Sequence, residues 1–583
     1  MKFGVLALDY DGTIARDGVL CPEVKAAIAE ARSRGIVVII VTGRILSDLR
    51  SVAGELTFVD AVVAENGAIV EFPNSQRQIN GHLPPQIFFD ELRRRRVPFK
   101  SGDCIVEADA SAAPTVLGAI RELQLPLVIL FNRNRLMILP QAISKGTGLR
   151  SALEILRLSA HNAIAIGDAE NDHDLLAECE IAAAVAWGST MLQAEADEVI
   201  SGDGPSAVAA YIRRATTQMR LPPGRLGRHR ITVGTDLDGR PFASDIRGKN
   251  ILIVGEPQSG KSWATGLLCE QMIVRGYSLC VIDPEGDYGG LEALPGVVAL
   301  RAADHPPELN DVARALQHFD LSVVLDLSHI HLQEKTEYLK AVLPMLVSLR
   351  RKIGLPHRIV VDEAHYFLHE TKIKQLLDME LGAYTIVTYR PSDLHPDLLA
   401  AIDVVVSKRL TNVHEVETLL SLSKEKKIDP RGAAMLGELA VDEAVSAEKQ
   451  GDGSIRRFKL LPRLTTHVRH RAKYFDFDVT SGEEFVFTDK GKPLGTPARS
   501  LKQFATLLES YPVSSIGEHA RRGDFSRWVS NVFFDHRLAS DIRKVEQRYR
   551  LGHLEDVRQS IANLIIERYG GSPDGSSHLI GTF

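Results

Sequence analysis

Residues Phe3–Thr13 read FGVLALDYDGT. An apolar run ends in two carboxylates spaced two apart, Asp9 and Asp11. A run of this length, bounded by glycine and polar residues, reads as a buried strand. Residues two apart on a strand point to one face, so both carboxylates leave the strand end on the same side. GIVVIIVTG (Gly35–Gly43) and AIAIGD (Ala163–Asp168) have the same shape. Amphipathic helical stretches separate these runs, and strands alternating with helices make a parallel sheet. Each run ends in Asp, Thr or Gly, and reactive groups of an α/β domain gather at the carboxyl ends of its strands.

Two carboxylates so placed can hold a hard cation and divide labour. One attacks phosphorus; the other donates a proton to the leaving group and then activates water. Gly12 permits the sharp turn that follows. VTGR supplies the hydroxyl of Thr42 at a second strand end. SKG supplies Lys145, a cation suited to phosphoryl charge, and IGDAEND adds Asp168 and Asp172. A cation and fixed donors of this kind stabilise the equatorial oxygens of a phosphoryl transition state.

The order of these motifs resembles the haloacid dehalogenase (HAD) phosphatase superfamily. ENGA at Glu65–Ala68 resembles the branch with the Cof-type sugar phosphatases and the sucrose- and mannosylphosphoglycerate-type phosphatases. The resemblance implies Asp9 as nucleophile, Asp11 as general acid/base, and Thr42 and Lys145 on the phosphate. It implies Mg²⁺ held by Asp9, Asp11 and Asp168, supported by Asp172 and Asn171. Gly43, Arg44, Asn66 and Asn171 are the expected substrate contacts. A cap is expected at about Arg77–Pro140. Arg93–Arg96 (RRRR) inside it reads as a solvated helix end.

A second constellation lies at NILIVGEPQSGKSWATGLL: strand, glycine loop, helix. Gly255–Ser262 fits G-x-x-x-x-G-K-[ST]. Backbone amides at Ser259, Gly260 and Lys261 can wrap phosphates, Lys261 reaches the β/γ oxygens, and Ser262 ligates Mg²⁺. Gly255 and Trp263 complete the nucleotide-contacting set. RIVVDEAH then delivers Asp362 to the metal and Glu363 to the attacking water. The segment resembles the HerA/FtsK group of P-loop ATPases, HerA-like proteins most closely. VIDPEGDY (Val281–Tyr288), VLDLS (Val324–Ser328), TYRPSDL (Thr388–Leu394) and KRLTN (Lys408–Asn412) carry the likeness. It implies ATP hydrolysis, Mg²⁺ and a hexameric ring acting on DNA. Tyr389 stands where that group usually has a glutamine that senses the γ-phosphate, which favours ATP as a gate. Arg390 and Arg409 are the arginines available to act on a neighbour's nucleotide; the plainer reading is a salt-bridged core edge.

The expected fold class is α/β: a HAD Rossmann-like parallel sheet with an inserted α+β cap, then a P-loop parallel-sheet domain, then a small C-terminal α+β domain. The boundaries fall at 1–219, a 220–229 linker containing LPPGRLGR, 230–462, and 463–583. At about 150 residues per domain, 583 residues suggest roughly four domains or two to three larger ones. Net charge −6 argues against a globally basic nucleic-acid binder. Five cysteines without a CxxC argue against a disulfide scaffold or structural zinc and fit a reducing cytoplasm. No signal peptide and no membrane span are expected. In the third segment, Arg469, Arg471 and Lys473 beside Tyr474 and Phe475 read as an edge strand, with single-stranded nucleic acid as the sharper alternative. His467 and His470 have no obvious metal-ligand partners, and Trp528 reads as a core anchor.

Three functions fit. One is a phosphatase, acting on a sugar phosphate or nucleotide, fused to an ATP-binding domain. The second is a DNA-processing translocase whose HAD domain trims nucleic-acid phosphates. The third is a phosphatase gated by ATP.

Overall fold

The computed structural model describes residues 3–132, 134–217, 229–302, 305–369, 373–422, 430–449, 455–466, 479, 482–533 and 535–569. The linker segment 220–228 and the basic stretch 467–475 lie outside the described residues. Among those described, no helix is long and apolar enough to cross a membrane.

The first unit is built on an eight-stranded sheet. In spatial order its strands are Glu198–Ile200, Ile181–Val185, Ala163–Gly167, Val5–Leu8, Val37–Val41, Ala61–Ala64, Ile69–Glu71 and Arg77–Ile79. The first six run parallel, Ile69–Glu71 runs against them, and Arg77–Ile79 pairs antiparallel with Ile69–Glu71. Val5–Leu8 is buried on both faces, as a central parallel strand requires. The inserted unit is an antiparallel sheet ordered Leu127–Asn132, Arg135–Pro140, Val106–Asp109, Phe99–Ser101. Helices Gln86–Arg94 and Ala113–Glu122 pack on one of its faces through Phe88, Leu92, Val116 and Ile120. Because Arg77–Ile79 pairs with Ile69–Glu71 in the main sheet, the cap begins after Ile79 and not at Arg77. Arg93, Arg94 and Arg95 close the Gln86–Arg94 helix with ion pairs to Asp90, Glu91 and Glu122.

The second unit holds an eleven-stranded sheet. Seven parallel strands run from Val404–Ser407 through Ile251–Val254, Tyr384–Thr388, Arg358–Val361, Leu279–Asp283 and Ser322–Asp326 to Val297–Arg301. Four antiparallel strands extend one edge, including the Arg230–Asp236 and Pro241–Asp245 hairpin. Among its described residues the third unit is mostly helical, with one short two-stranded ladder. Trp528 anchors it, packed on Phe485, Phe504 and Phe533 and donating Nε1–H to the Glu483 carbonyl at 2.8 Å.

The first two units meet at the amino ends of their parallel strands. Glu180, fully buried, directly precedes the strand Ile181–Val185. It accepts hydrogen bonds from His161 Nδ1 (2.8 Å) and Tyr277 Oη (3.0 Å) and lies 3.2 Å from Arg247 Nε. Arg247 also pairs with Asp197, and His161 Nε2 faces the Arg275 carbonyl at 2.8 Å. His357 accepts from the Ser278 amide through Nδ1, and its Nε2–H donates to Asn162. Burial works against the Glu180 charge, but His161, His229 and Arg247 outweigh it and hold the carboxyl below its usual range. Since the amino ends meet, the carboxyl ends of the two sheets face away from each other.

Candidate functional site

Asp9 follows the strand Val5–Leu8 and is buried. Its Oδ1 accepts from Lys145 Nζ at 2.6 Å, and the same ammonium donates to Asp172 Oδ1 at 2.5 Å. Lys145 starts a helix capped by Ser144, whose side chain accepts from Thr147 N while Thr147 Oγ1 accepts from Ser144 N. That capping box fixes where the lysine emerges. Asp172 Oδ2 accepts the amides of Asp168 and Ala169, at 2.9 and 3.0 Å, which folds the loop after the strand Ala163–Gly167.

Ligand atoms of Asp9, Asp168 and Asp172 lie within 4.8 Å of one another. Two of these three buried carboxylates share the Lys145 ammonium and Asp168 accepts from Thr13 Oγ1, so negative charge is in excess. Burial, then Asp172, pushes the Asp9 carboxyl well above its usual range, with Lys145 pulling it down. Burial disfavours the Lys145 charge, but Asp172 and Asp9 outweigh it and raise that group. Asp9 Oδ2 has no hydrogen-bond partner among the described residues. A buried oxygen without a donor, inside an acidic cluster, is what a hard divalent cation satisfies. The residues therefore fit Mg²⁺.

Asp11 stands apart from that cluster. Arg44 holds its carboxylate through Nε and Nη2, at 2.5 and 2.6 Å. Thr42 Oγ1 accepts the Arg44 amide, ordering the turn after the second strand. Asn171 Nδ2 donates to Asn66 Oδ1 at 3.3 Å, leaving Asn66 Nδ2 and Asn171 Oδ1 without partners among the described residues. A side chain at Gly43 would come within 3.2 Å of Asn171 and 2.9 Å of Met137 Cε, so both would have to give way to it. Gly43, Asn66 and Asn171 therefore lie together, and Asp11, Arg44 and Asp168 line a cleft of about 1010 Å³ between the main sheet and the cap.

Glu65 plays a part that sequence reasoning missed. Its buried carboxylate accepts the backbone amides of Asp103, Cys104 and Ile105, fastening the cap loop to the main sheet. Both Glu65 and Asn66 adopt left-handed backbone, at φ 52° and 56°. Strain of this kind persists only where the surroundings enforce it.

In the second unit the phosphate loop has the expected form. Gly260 caps the helix Lys261–Ile273 at φ 92°. A side chain at Gly255 would strike Ser259 Oγ and Lys408 Cβ at 2.5 and 2.6 Å. Lys261 Nζ contacts Glu363 Oε1 at 2.8 Å, and Ser262 Oγ donates to Asp287 Oδ2 at 2.7 Å. Asp362 accepts the Glu363 amide. Trp263 packs against the apolar cluster that holds Phe242, Phe458 and Leu460. Asp287 and Asp283 were not singled out from sequence. Asp283 accepts the amides of Gly286, Asp287 and Tyr288, which aims Asp287 at Ser262. Their signal was a carboxylate at a strand end, the same one that marks Asp9. Tyr389 sits with Lys261 and Arg390 over its ring, at 5.4 and 5.3 Å. Arg390 pairs with Glu483 and Arg409 with Glu256, so the plainer reading of both arginines holds in this chain.

Sheet, cap and carboxylate–lysine cluster define a phosphomonoesterase-type site, and the second unit is a P-loop NTPase fold. Residues 6–92 and 118–212 match the family profile of haloacid dehalogenase-like hydrolases, and residues 243–377 match that of the central domain of helicase HerA. The first unit is thus similar to haloacid dehalogenase-like hydrolases and the second to the central domain of helicase HerA. Phosphoglycolate phosphatase of Methanothermobacter thermautotrophicus is 27% identical over 217 residues, 36% of this chain and 97% of that protein. Phosphoglycolate phosphatase 2 of Saccharolobus solfataricus is 29% identical over 206 residues, 33% of this chain and 84% of that protein. A haloacid dehalogenase-like hydrolase structure from B. subtilis aligns at 15% identity and TM-score 0.33, over 36% of this chain and 99% of its own.

Proposed function

We propose that the first unit hydrolyses a small, carboxylate-bearing phosphate monoester of the 2-phosphoglycolate kind, through a phosphoryl group carried on Asp9. The observation that carries this reading is the buried Asp9 carboxylate, one oxygen on Lys145 and the other without a donor among the described residues, clustered with Asp168, which lines the open cleft. The names of the relatives that align over nearly their whole length support the substrate class.

Asp9 attacks phosphorus and forms the new O–P bond as the ester O–P bond breaks. Asp11 gives its proton to the departing oxygen, then takes one from the water that cleaves the phosphoryl–Asp9 bond. Lys145 and the Thr42 hydroxyl hold the phosphoryl oxygens. Asp9, Asp168 and Asp172 would hold Mg²⁺, which supplies charge stabilisation to those oxygens. Arg44 must leave Asp11 for the proton to move, and an incoming anion offers it another partner.

The second unit binds ATP with Mg²⁺ at Lys261, Ser262, Asp287 and Asp362. The buried Glu180 cluster favours the gated reading, because it ties the starts of strands in both units. Phosphate release from 2-phosphoglycolate, a sugar-phosphate panel and ATP, with Mg²⁺ or a chelator and with or without DNA, tests both readings. Phosphoglycolate turnover that needs Mg²⁺ and Asp9 is expected. A chain that releases phosphate from none of the esters overturns the phosphatase reading. DNA-stimulated ATP turnover restores the translocase.

A further inference from the structure

The cap hairpin carries the strongest unassigned feature. In the antiparallel pair Leu127–Asn132 and Arg135–Pro140, Asn132 opposes Arg135 and Leu130 opposes Met137. Opposed residues share a face, and the face alternates along each strand. Leu127, Ile129, Leu136 and Ile138 pack under the cap helices. Leu130, Met137 and Leu139 pack with the main core instead. Arg135 has the parity of Met137, so it stands on the face turned to the active site. Accordingly Asn132 and Arg135 line the cleft with Asp11, Arg44 and Asp168.

Distance follows from the same register. Met137 lies against Gly43, which stands between the proposed phosphate contact Thr42 and the cleft-lining Arg44. Arg135 is two residues further out, about 7 Å along the strand. Its guanidinium is half exposed and held by Glu107 at 3.1 Å. A planar donor fork at that remove suits a carboxylate a few bonds beyond phosphorus. We infer that Arg135, aided by Asn132, is the specificity-determining residue that reads the substrate's carboxylate, with Glu107 keeping the guanidinium aimed into the cleft. This rests on the phosphatase reading above and adds the residue that selects the ester.

The test compares kcat and KM for 2-phosphoglycolate and for 2-hydroxyethyl phosphate, which has the same length and no carboxylate. It uses the full chain with Mg²⁺, as wild type, Arg135→Ala and Arg135→Lys. For phosphoglycolate, Arg135→Ala should lose about 10- to 100-fold in kcat/KM, mostly through KM. For the neutral ester the loss should stay under about threefold. Arg135→Lys should recover part of the phosphoglycolate loss. Equal losses on both esters, or no loss on phosphoglycolate, overturn the inference and leave the phosphatase standing. A wild type inert on both esters overturns the phosphatase reading and this inference together.

Discussion

Two lysines each begin a helix in this chain, Lys145 in the first unit and Lys261 in the second, and their surroundings differ. Lys145 is shared by Asp9 and Asp172, yet three buried carboxylates outnumber it and one Asp9 oxygen lacks a donor. Lys261 is matched by Glu363, Ser262 by Asp287, Arg390 by Glu483 and Arg409 by Glu256. The first site has a charge imbalance that a cation completes. In the second, the loop lysine and the Ser262 hydroxyl are already engaged, so a nucleotide must displace Glu363 and Asp287 from them, while Ser259 Oγ has no hydrogen-bond partner among the described residues. Preorganisation favours transition-state stabilisation, and internal pairing favours a switch.

The largest expected effect breaks the first site. Asp9→Asn should lower ester hydrolysis by at least about 10⁴-fold in a phosphate-release assay, because the nucleophile itself is gone. A variant within tenfold of wild type removes Asp9 from the chemistry.

Next comes the contact that holds the two regions together. Glu180→Gln takes the shared carboxylate from His161 and leaves Arg247 on Asp197 alone, and breaking a buried pair costs about 3–5 kcal/mol. Thermal melts should show that loss. The pH dependence has a definite sign. A carboxyl held below its ordinary value of 4.5 stabilises the fold fully above that pH. The contribution fades as pH falls further, toward the lowered folded value. Wild type and Glu180→Gln should therefore differ most above that pH and converge in acid.

The third prediction sharpens the second site. Lys261→Ala should weaken binding of a fluorescent ATP analogue by about 10- to 100-fold, as expected for lost charge-assisted bonds. Equal affinity would place the nucleotide elsewhere.

The smallest effect concerns the third unit. Glu483→Gln frees Arg390 from a partly exposed pair, worth about 1 kcal/mol or less. ATP turnover should rise by about two- to fivefold if that pair restrains the arginine. An unchanged rate means Arg390 does not approach the nucleotide.

Local signals made much of this molecule readable in advance. Asp9, Asp11 and the Gly255–Ser262 loop are legible because their chemistry lies within a few residues of a strand end. The Asn66–Asn171 contact was reachable as two separate motifs, although their meeting over Gly43 depends on the sheet order. Arg135 was not legible, since its role depends on hairpin register and on which face the cap turns inward. The cap's first boundary was set too early because Arg77–Ile79 looks like any short strand until its partner is known. His161, Glu180, Arg247 and Tyr277 come from four separate segments and have no pattern in sequence. Only the packing of two sheets at their amino ends gathers them.

The most direct test of the central claim is a covalent one. The Asp11→Asn chain, mixed with Mg²⁺ and 2-phosphoglycolate and quenched in acid, would be digested and read by mass spectrometry. Attack by Asp9, with hydrolysis slowed by loss of the general base, predicts a hydroxylamine-sensitive phosphoryl group on the peptide carrying Asp9. Phosphoryl label on another residue, or ester turnover by wild type with Asp9 never labelled, would contradict it.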